Sequence, residues 1–270
     1  MNRLHKAIEQ ANNRPLLGAA LYSYDPAFLE IAGHMGFKVI WIEMEHAGIS
    51  FSEAADLCRM AAGTDMLTMI RIPDARRESV LKAAECGPDM IDIPMVDSPE
   101  QVAELVRYAR FAPAGARGFF SVSRALRYGI VDSVPAEQQK LNSELTLLAQ
   151  IETKEALARI EELAAIPDVD LFIGPADLAA SLGIPGETSH PTLLKAAQEI
   201  VQTARKHNKK IVTACGASDF PHWTRLGVDL LFCTNNITAL KAGAQLALDA
   251  ANQAIDLAVA KVHQQEPVTR

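Results

Sequence analysis

The sequence predicts an α/β fold, a closed (β/α)8 TIM barrel, on three observations. Eight short apolar runs recur along the 270 residues, each mostly continuous rather than alternating, as expected of strands covered on both faces. Helical patterns separate the runs, and strand–helix alternation repeated eight times describes a parallel sheet wrapped by helices. The length suits one barrel of about 250 residues, so 1–270 reads as a single barrel domain. A doubly wound open sheet is the competing arrangement, but no GxGxxG follows the first run.

The elements follow in order. The first run is LLGAAL (16–21), and DPAFLEIAGHMG after it starts a helix with Asp25 as N-cap and Pro26 at the first helical position. VIWIEME (39–45) is the second run, followed by SFSEAADLCRMAAG, which opens on a serine and closes on Gly63. MLTMIRI (66–72) and MIDIPMV (90–96) come next, and SPEQVAELVRYARF begins a helix at Ser98 and Pro99. LTLLAQIE (145–152), LFIGPA (171–176), KIVTACG (210–216) and LLFCTNN (230–236) complete the set. The connections after the fourth and sixth runs are the longest. Long loops in compact domains are usually functional, and in a barrel they matter most on the C-terminal face.

The last helical pattern, about 237–262, is long for one barrel helix. Leu248, Ala251, Ile255, Ala258, Val259 and Val262 recur in it at three- and four-residue spacing. Such a stripe either packs on a neighbouring subunit or folds back on its own barrel.

Composition excludes several classes. Apolar residues make up 49% of the chain, too many for disorder. A net charge of −7 argues against nucleic acid or an anionic membrane as partner. Cys58, Cys86, Cys215 and Cys233 form no CxxC pair, so they read as small buried hydrophobes in a reducing cytosol. The start, MNRLHKAIEQANNR, has no apolar signal core, and no run is long enough to span a membrane, which predicts a cytoplasmic protein.

Polar residues at the C-terminal ends of barrel strands are candidates for chemistry. The second run ends in Glu43, Glu45 and His46, the third in Arg71, the fifth in Gln150 and Glu152, and the sixth leads into Gly174, Pro175, Ala176 and Asp177. Glu152 and Asp177 are hard oxygen ligands suited to Mg²⁺ or Mn²⁺. Each has a local alternative, capping the helix that follows it. His46 has the intrinsic pKa of a general base, or is a hydrogen-bonded strand-end histidine. Arg71 suits a carboxylate or enolate oxygen, or forms a salt bridge with Glu43 or Glu45 across the mouth. The Gly174–Ala176 turn offers backbone N–H groups to an anion. Arg117 and Arg124, in the long loop, read more easily as surface residues. No lysine stands at a strand's C-terminal end, which argues against a Schiff base.

WIEMEH, RIP, IPMVDSPEQ, APAGARG, QIET and above all FIGPADLAASLG, in that order over roughly 15–250, resemble the HpcH/HpaI family of metal-dependent pyruvate aldolases. The resemblance implies a barrel of the phosphoenolpyruvate/pyruvate superfamily type. It implies a class II aldolase, reversibly cleaving a 4-hydroxy-2-oxo acid to pyruvate, or a close 2-oxo acid, and an aldehyde. It further implies a divalent cation on Glu152 and Asp177, with Mg²⁺ or Mn²⁺ ahead of Co²⁺ or Zn²⁺. Arg71 corresponds to the arginine on the enolate and keto oxygens, and His46 to the acid/base histidine. Glu45 corresponds to the acid beside the metal waters, Gln150 to the glutamine near the keto acid, and Gly174, Pro175 and Ala176 to the turn facing the substrate carboxylate. Glu43 departs from the pattern: many members carry Asp there, orienting the histidine. The resemblance also implies a homohexamer, a trimer of dimers. A CoA-ester lyase and a non-catalytic binding barrel are the alternatives; no basic adenine or diphosphate site supports the first, and the second gives no reason to gather these polar residues.

Overall fold

The computed structural model describes residues 2–265, with side chains to Ala260. Eight parallel strands close in sequence order, β1 pairing with both β2 and β8. They are β1 Leu16–Leu21, β2 Val39–Glu43, β3 Leu67–Arg71, β4 Met90–Ile93, β5 Thr146–Ile151, β6 Val169–Ile173, β7 Ile211–Ala214 and β8 Leu230–Asn235. Seven of the eight apolar runs contain a strand, and the sixth overlaps one. The sixth strand starts earlier than its run, at Val169, and ends where Gly174 begins the turn. The caps fall as expected: Asp25 accepts from Phe28 N–H, Ser50 forms a capping box with Glu53, and Ser98 accepts from Gln101 N–H.

Side chains inside the barrel stack in layers drawn from alternate strands. Advancing the register by about one residue per strand, as the tilt of such a barrel requires, brings Trp41, Asp92, Phe172 and Phe232 to one height. The rings of Trp41, Phe172 and Phe232 lie 5.2 to 6.3 Å apart. Gly18 makes room for this layer, since a Cβ there would lie 2.5 Å from the Phe232 ring. Arg71 and Gln150, from odd strands, stand in the next layer toward the mouth. At the opposite end helix Arg3–Gln10 covers the barrel floor, with Leu4 fully buried against the inner cluster.

The long connection after β4 departs from expectation. Most of it follows helix Pro99–Ala109 and precedes β5, so it lies on the N-terminal side. Arg117 is buried there, paired with Glu85 at 2.8 Å and stacked on Phe111, and Arg124 donates to the carbonyls of Cys86 and Cys58. Both arginines hold the loop and neither is a surface residue of the mouth. The connection after β6 does start from the mouth, with helix Pro175–Ser181. Cys58 and Cys86 are buried, whereas Cys215 and Cys233 are half-buried.

The final helix, Asn236–Gln265, does not fold back on the barrel. Every residue from Leu240 to Ala260 is exposed, including Leu240, Leu246, Leu248, Ile255, Leu257 and Val259. Val262, the last residue of the apolar stripe, lies outside the residues whose side chains are described. Leu17, Ile31 and Met35, on the first strand and the helix after it, are exposed as well. No described helix is long and apolar enough to cross a membrane.

Candidate active site

The predicted polar residues converge at the C-terminal mouth. Glu43 ends β2, Arg71 ends β3, Gln150 lies on β5, and Glu152 follows β5 by one residue. Burial in a closed barrel leaves these groups few partners, and they take one another. Glu43 Oε2 accepts from Arg71 Nε at 2.6 Å, while Oε1 accepts the backbone N–H of Glu45 at 2.7 Å and of His46 at 2.9 Å. Arg71 Nη1 lies 3.1 Å from Glu45 Oε2. The salt bridge across the mouth therefore exists, and it involves both glutamates. The guanidinium also sits 4.8 Å from the centre of the Trp41 ring. Burial would lower the Arg71 pKa, but Glu43 and the nearby acids outweigh it and raise it, so the charge is secure.

Glu43 binds the backbone of the His46 turn and not its imidazole. That ring is 69% exposed, and its nearest acid is Glu45, with Nε2–Oε2 at 3.7 Å. The expected histidine–acid pair is thus loose. Burial raises the Glu45 pKa, against the opposing pull of Arg71 and His46.

Glu152 is buried and does not cap its helix, because Thr153 takes that role. Its Oε1 accepts from Met95 N–H at 2.7 Å, and its Oε2 accepts from the Gln150 amide. Burial pushes its pKa up to about 7; the two hydrogen bonds lower it, and Asp177 and Glu45 raise it. Asp177 stands exposed in the first turn of helix Pro175–Ser181 and makes no cap either, since Gly174 is the N-cap residue. The local alternatives for both carboxylates are therefore absent. Gly174 is glycine because its backbone presses on the site: a Cβ would lie 2.5 Å from Glu152 Oε2 and 2.9 Å from Gln150 Nε2. Within the turn, Gly174 N–H is used by Ile151 O and Pro175 has none, which leaves Ala176 as the available amide of the three.

Asp177 adds to the raised pKa of both Glu45 and Glu152, and Glu45 adds to that of Glu152, the signature of an acidic cluster short of positive charge. Among the described residues no three His, Cys, Asp or Glu side chains converge as a ready metal cage. Two carboxylates with open positions fit a hard cation that keeps waters or a chelating ligand.

Sequence reasoning missed four contributors. Met95 has φ +52, a conformation uncommon for a residue with a side chain, and from it donates its N–H to Glu152. Trp41 supports Arg71 from below. Tyr22, at the end of β1, has its pKa raised by burial and by Glu43. Asp92 lies fully buried beneath the mouth.

A closed parallel barrel with an arginine and a carboxylate cluster at the strands' carboxyl ends defines the class, a (β/α)8-barrel enzyme. The chain belongs to the HpcH/HpaI aldolase/citrate lyase family, whose model matches residues 19–219. It is 35% identical over 191 residues to a hydroxypyruvate/pyruvate aldolase of Sagittula stellata, covering 70% of this chain and 74% of that one. It is 32% identical over 195 residues to a 2-keto-3-deoxy-L-rhamnonate aldolase of Klebsiella pneumoniae, covering 72% of each. A crystal structure of an HpcH/HpaI aldolase/citrate lyase family protein from Burkholderia cenocepacia superposes with a TM-score of 0.86 at 26% identity, over 93% of this chain and all of that one.

Proposed function

We propose that the protein is a metal-dependent class II aldolase, reversibly cleaving a 4-hydroxy-2-oxo acid into pyruvate, or a close 2-oxo acid, and an aldehyde. The observation that carries the reading is Arg71, fixed by Glu43 and Glu45 beside the Glu45–Glu152–Asp177 carboxylates. The aldolase names of its relatives support it.

Glu152 and Asp177 would hold the divalent cation, Mg²⁺ or Mn²⁺ by the hardness of the oxygen donors, with Co²⁺ or Zn²⁺ as substitutes. A bound cation supplies Lewis acidity to the carboxylate and keto oxygens of a chelating 2-oxo acid. Arg71 adds fixed positive charge where the keto oxygen becomes an enolate oxygen. Gln150 Nε2 and the Ala176 N–H orient the keto acid, with Gly174 and Pro175 shaping the turn. His46, exposed to solvent, takes the C4 hydroxyl proton through water as C3–C4 breaks. Glu45 lies between Arg71 and His46, 3.7 Å from the imidazole. In the reverse direction the same groups return the proton.

The final helix, over about 237–262, is the assembly element of a homo-oligomer, and a homohexamer is the form we expect. A helix exposed on every side has no tertiary packing to hold it, and its leucines and Ile255 face solvent in the isolated chain. Sedimentation at micromolar concentration tests this, and a monomer would refute it. The function is tested by incubating the enzyme with pyruvate, Mg²⁺ or Mn²⁺ and a panel of aldehydes, with products read by mass. A pyruvate–aldehyde adduct is expected with at least one. No adduct, together with no exchange of the pyruvate methyl protons in D₂O, refutes the reading.

A further inference from the structure

Asp92 is the fourth member of a barrel layer whose other members are Trp41, Phe172 and Phe232. It is fully buried, and neither carboxylate oxygen has a hydrogen-bond partner. Buried polar groups are nearly always paired, so such a group calls for an explanation. Gln150 Oε1, also buried, is likewise without a partner. The two residues stand on neighbouring strands and face the same interior. Asp92 pairs in register with Leu148, which puts Gln150 one strand over, about 4.8 Å, and two residues nearer the mouth, about 6.6 Å. Asp and Gln side chains together span that separation.

We propose that Asp92 is a positioning residue: as a neutral carboxylic acid it donates its O–H to Gln150 Oε1 and so fixes which way the Gln150 amide faces. One proton satisfies two orphaned groups. It also commits Nε2 to the Glu152 side of the mouth, where the Gln150 hydrogen bond already points. Resting on the aldolase reading, the consequence is an amide donor held toward the keto acid.

The surroundings favour the neutral form. Arg71 is the cation nearest Asp92, and it already serves Glu43 and Glu45. Glu43, Glu45 and Glu152 all add negative charge around Asp92. Burial comes first among the causes that hold its pKa well above the usual carboxylate range. An ionised Asp92 would be a buried charge with no hydrogen bond, an arrangement proteins avoid.

Infrared spectroscopy of the whole enzyme tests the hydrogen bond without using activity. A protonated carboxyl band is expected in wild type. It should vanish in Asp92→Asn and move to higher frequency in Gln150→Leu, where the acceptor is gone. Kinetics test the positioning. Asp92→Asn retains a donor and should keep KM for the 2-oxo acid within about threefold. Asp92→Leu has no donor and should raise that KM roughly tenfold, the effect of one lost hydrogen bond, with no loss of thermal midpoint. A residue that only fills space would leave KM unchanged in Asp92→Leu. No carboxyl band, a band indifferent to Gln150→Leu, or wild-type KM in Asp92→Leu overturns the proposal. A band that responds to Gln150→Leu in a protein that cleaves no 2-oxo acid supports the hydrogen bond and refutes the aldolase reading instead.

Discussion

Glu43 and Arg71 are joined at 2.6 Å with both side chains almost wholly out of solvent, and the second oxygen of Glu43 ties down the turn that carries His46. One carboxylate thus holds the arginine and the histidine segment in a fixed relation. Its extra methylene relative to Asp extends the carboxylate far enough to serve backbone and guanidinium together.

Glu43→Ala should therefore destabilise the fold by about 3–5 kcal/mol, the range for removing one partner of a buried pair. Denaturant melts of both proteins measure it. A loss under about 1 kcal/mol, typical of an exposed pair, would show that the contact is dispensable.

Arg71 and His46 should separate in their effects. Arg71→Ala should slow exchange of pyruvate methyl protons with D₂O by roughly 10²–10³, the usual cost of losing an oxyanion donor. His46→Ala should spare most of that exchange and lower aldol cleavage by about 10², the small end of general-base effects, because its imidazole is exposed and held only loosely by Glu45. NMR of both reactions in both variants decides; rapid exchange in Arg71→Ala would reverse the assignment.

Removing the cation should stop the reaction without unfolding the barrel. Chelator should abolish cleavage and added Mg²⁺ or Mn²⁺ should restore it. Glu152→Gln and Asp177→Asn should each weaken Mn²⁺ binding by calorimetry with near-native circular dichroism. Full activity in excess chelator would rule out the metal reading.

Stability should carry the mark of Asp92 across pH. Its native pKa is raised above the ordinary 3.8, so the folded state binds a proton that the unfolded chain has released. That contribution is complete below the unfolded value and is lost as pH rises, by up to about 1.4 kcal/mol per unit until the native group ionises. Melts of wild type and Asp92→Asn from acid to neutral pH should diverge with that sign. Parallel curves would mean that Asp92 does not keep its proton.

The barrel was legible because its signals are local and repeated. Continuous apolar runs mark strands buried on both faces, and Asp25–Pro26, Ser50 and Ser98–Pro99 mark helix starts. The polar mouth was legible because strand ends are easy to find and Glu43, Arg71, Gln150 and Glu152 fall on them. Register and backbone conformation were not legible. No pattern places Asp92 among three aromatic rings, since that height depends on how strands pair around the whole barrel. Nothing in Ile93-Pro94-Met95 announces a backbone N–H aimed at Glu152. The length of the connection after the fourth run is visible in the sequence, whereas its side of the barrel is fixed by its place after helix Pro99–Ala109.

Beneath Arg71 the barrel is packed with indole and phenyl rings, and helix Arg3–Gln10 closes the far end. The reaction chamber has one door. On the proposed chemistry, a cleaved substrate would leave its 2-oxo acid fragment at the back, on Arg71, and its aldehyde at the front. Departure is then a queue: the aldehyde must clear before the oxo acid can follow, and in synthesis the oxo acid must take its seat first. Product inhibition should carry that order, with pyruvate competing directly against the substrate and the aldehyde inhibiting noncompetitively. The opposite pattern would mean a second way out of the chamber.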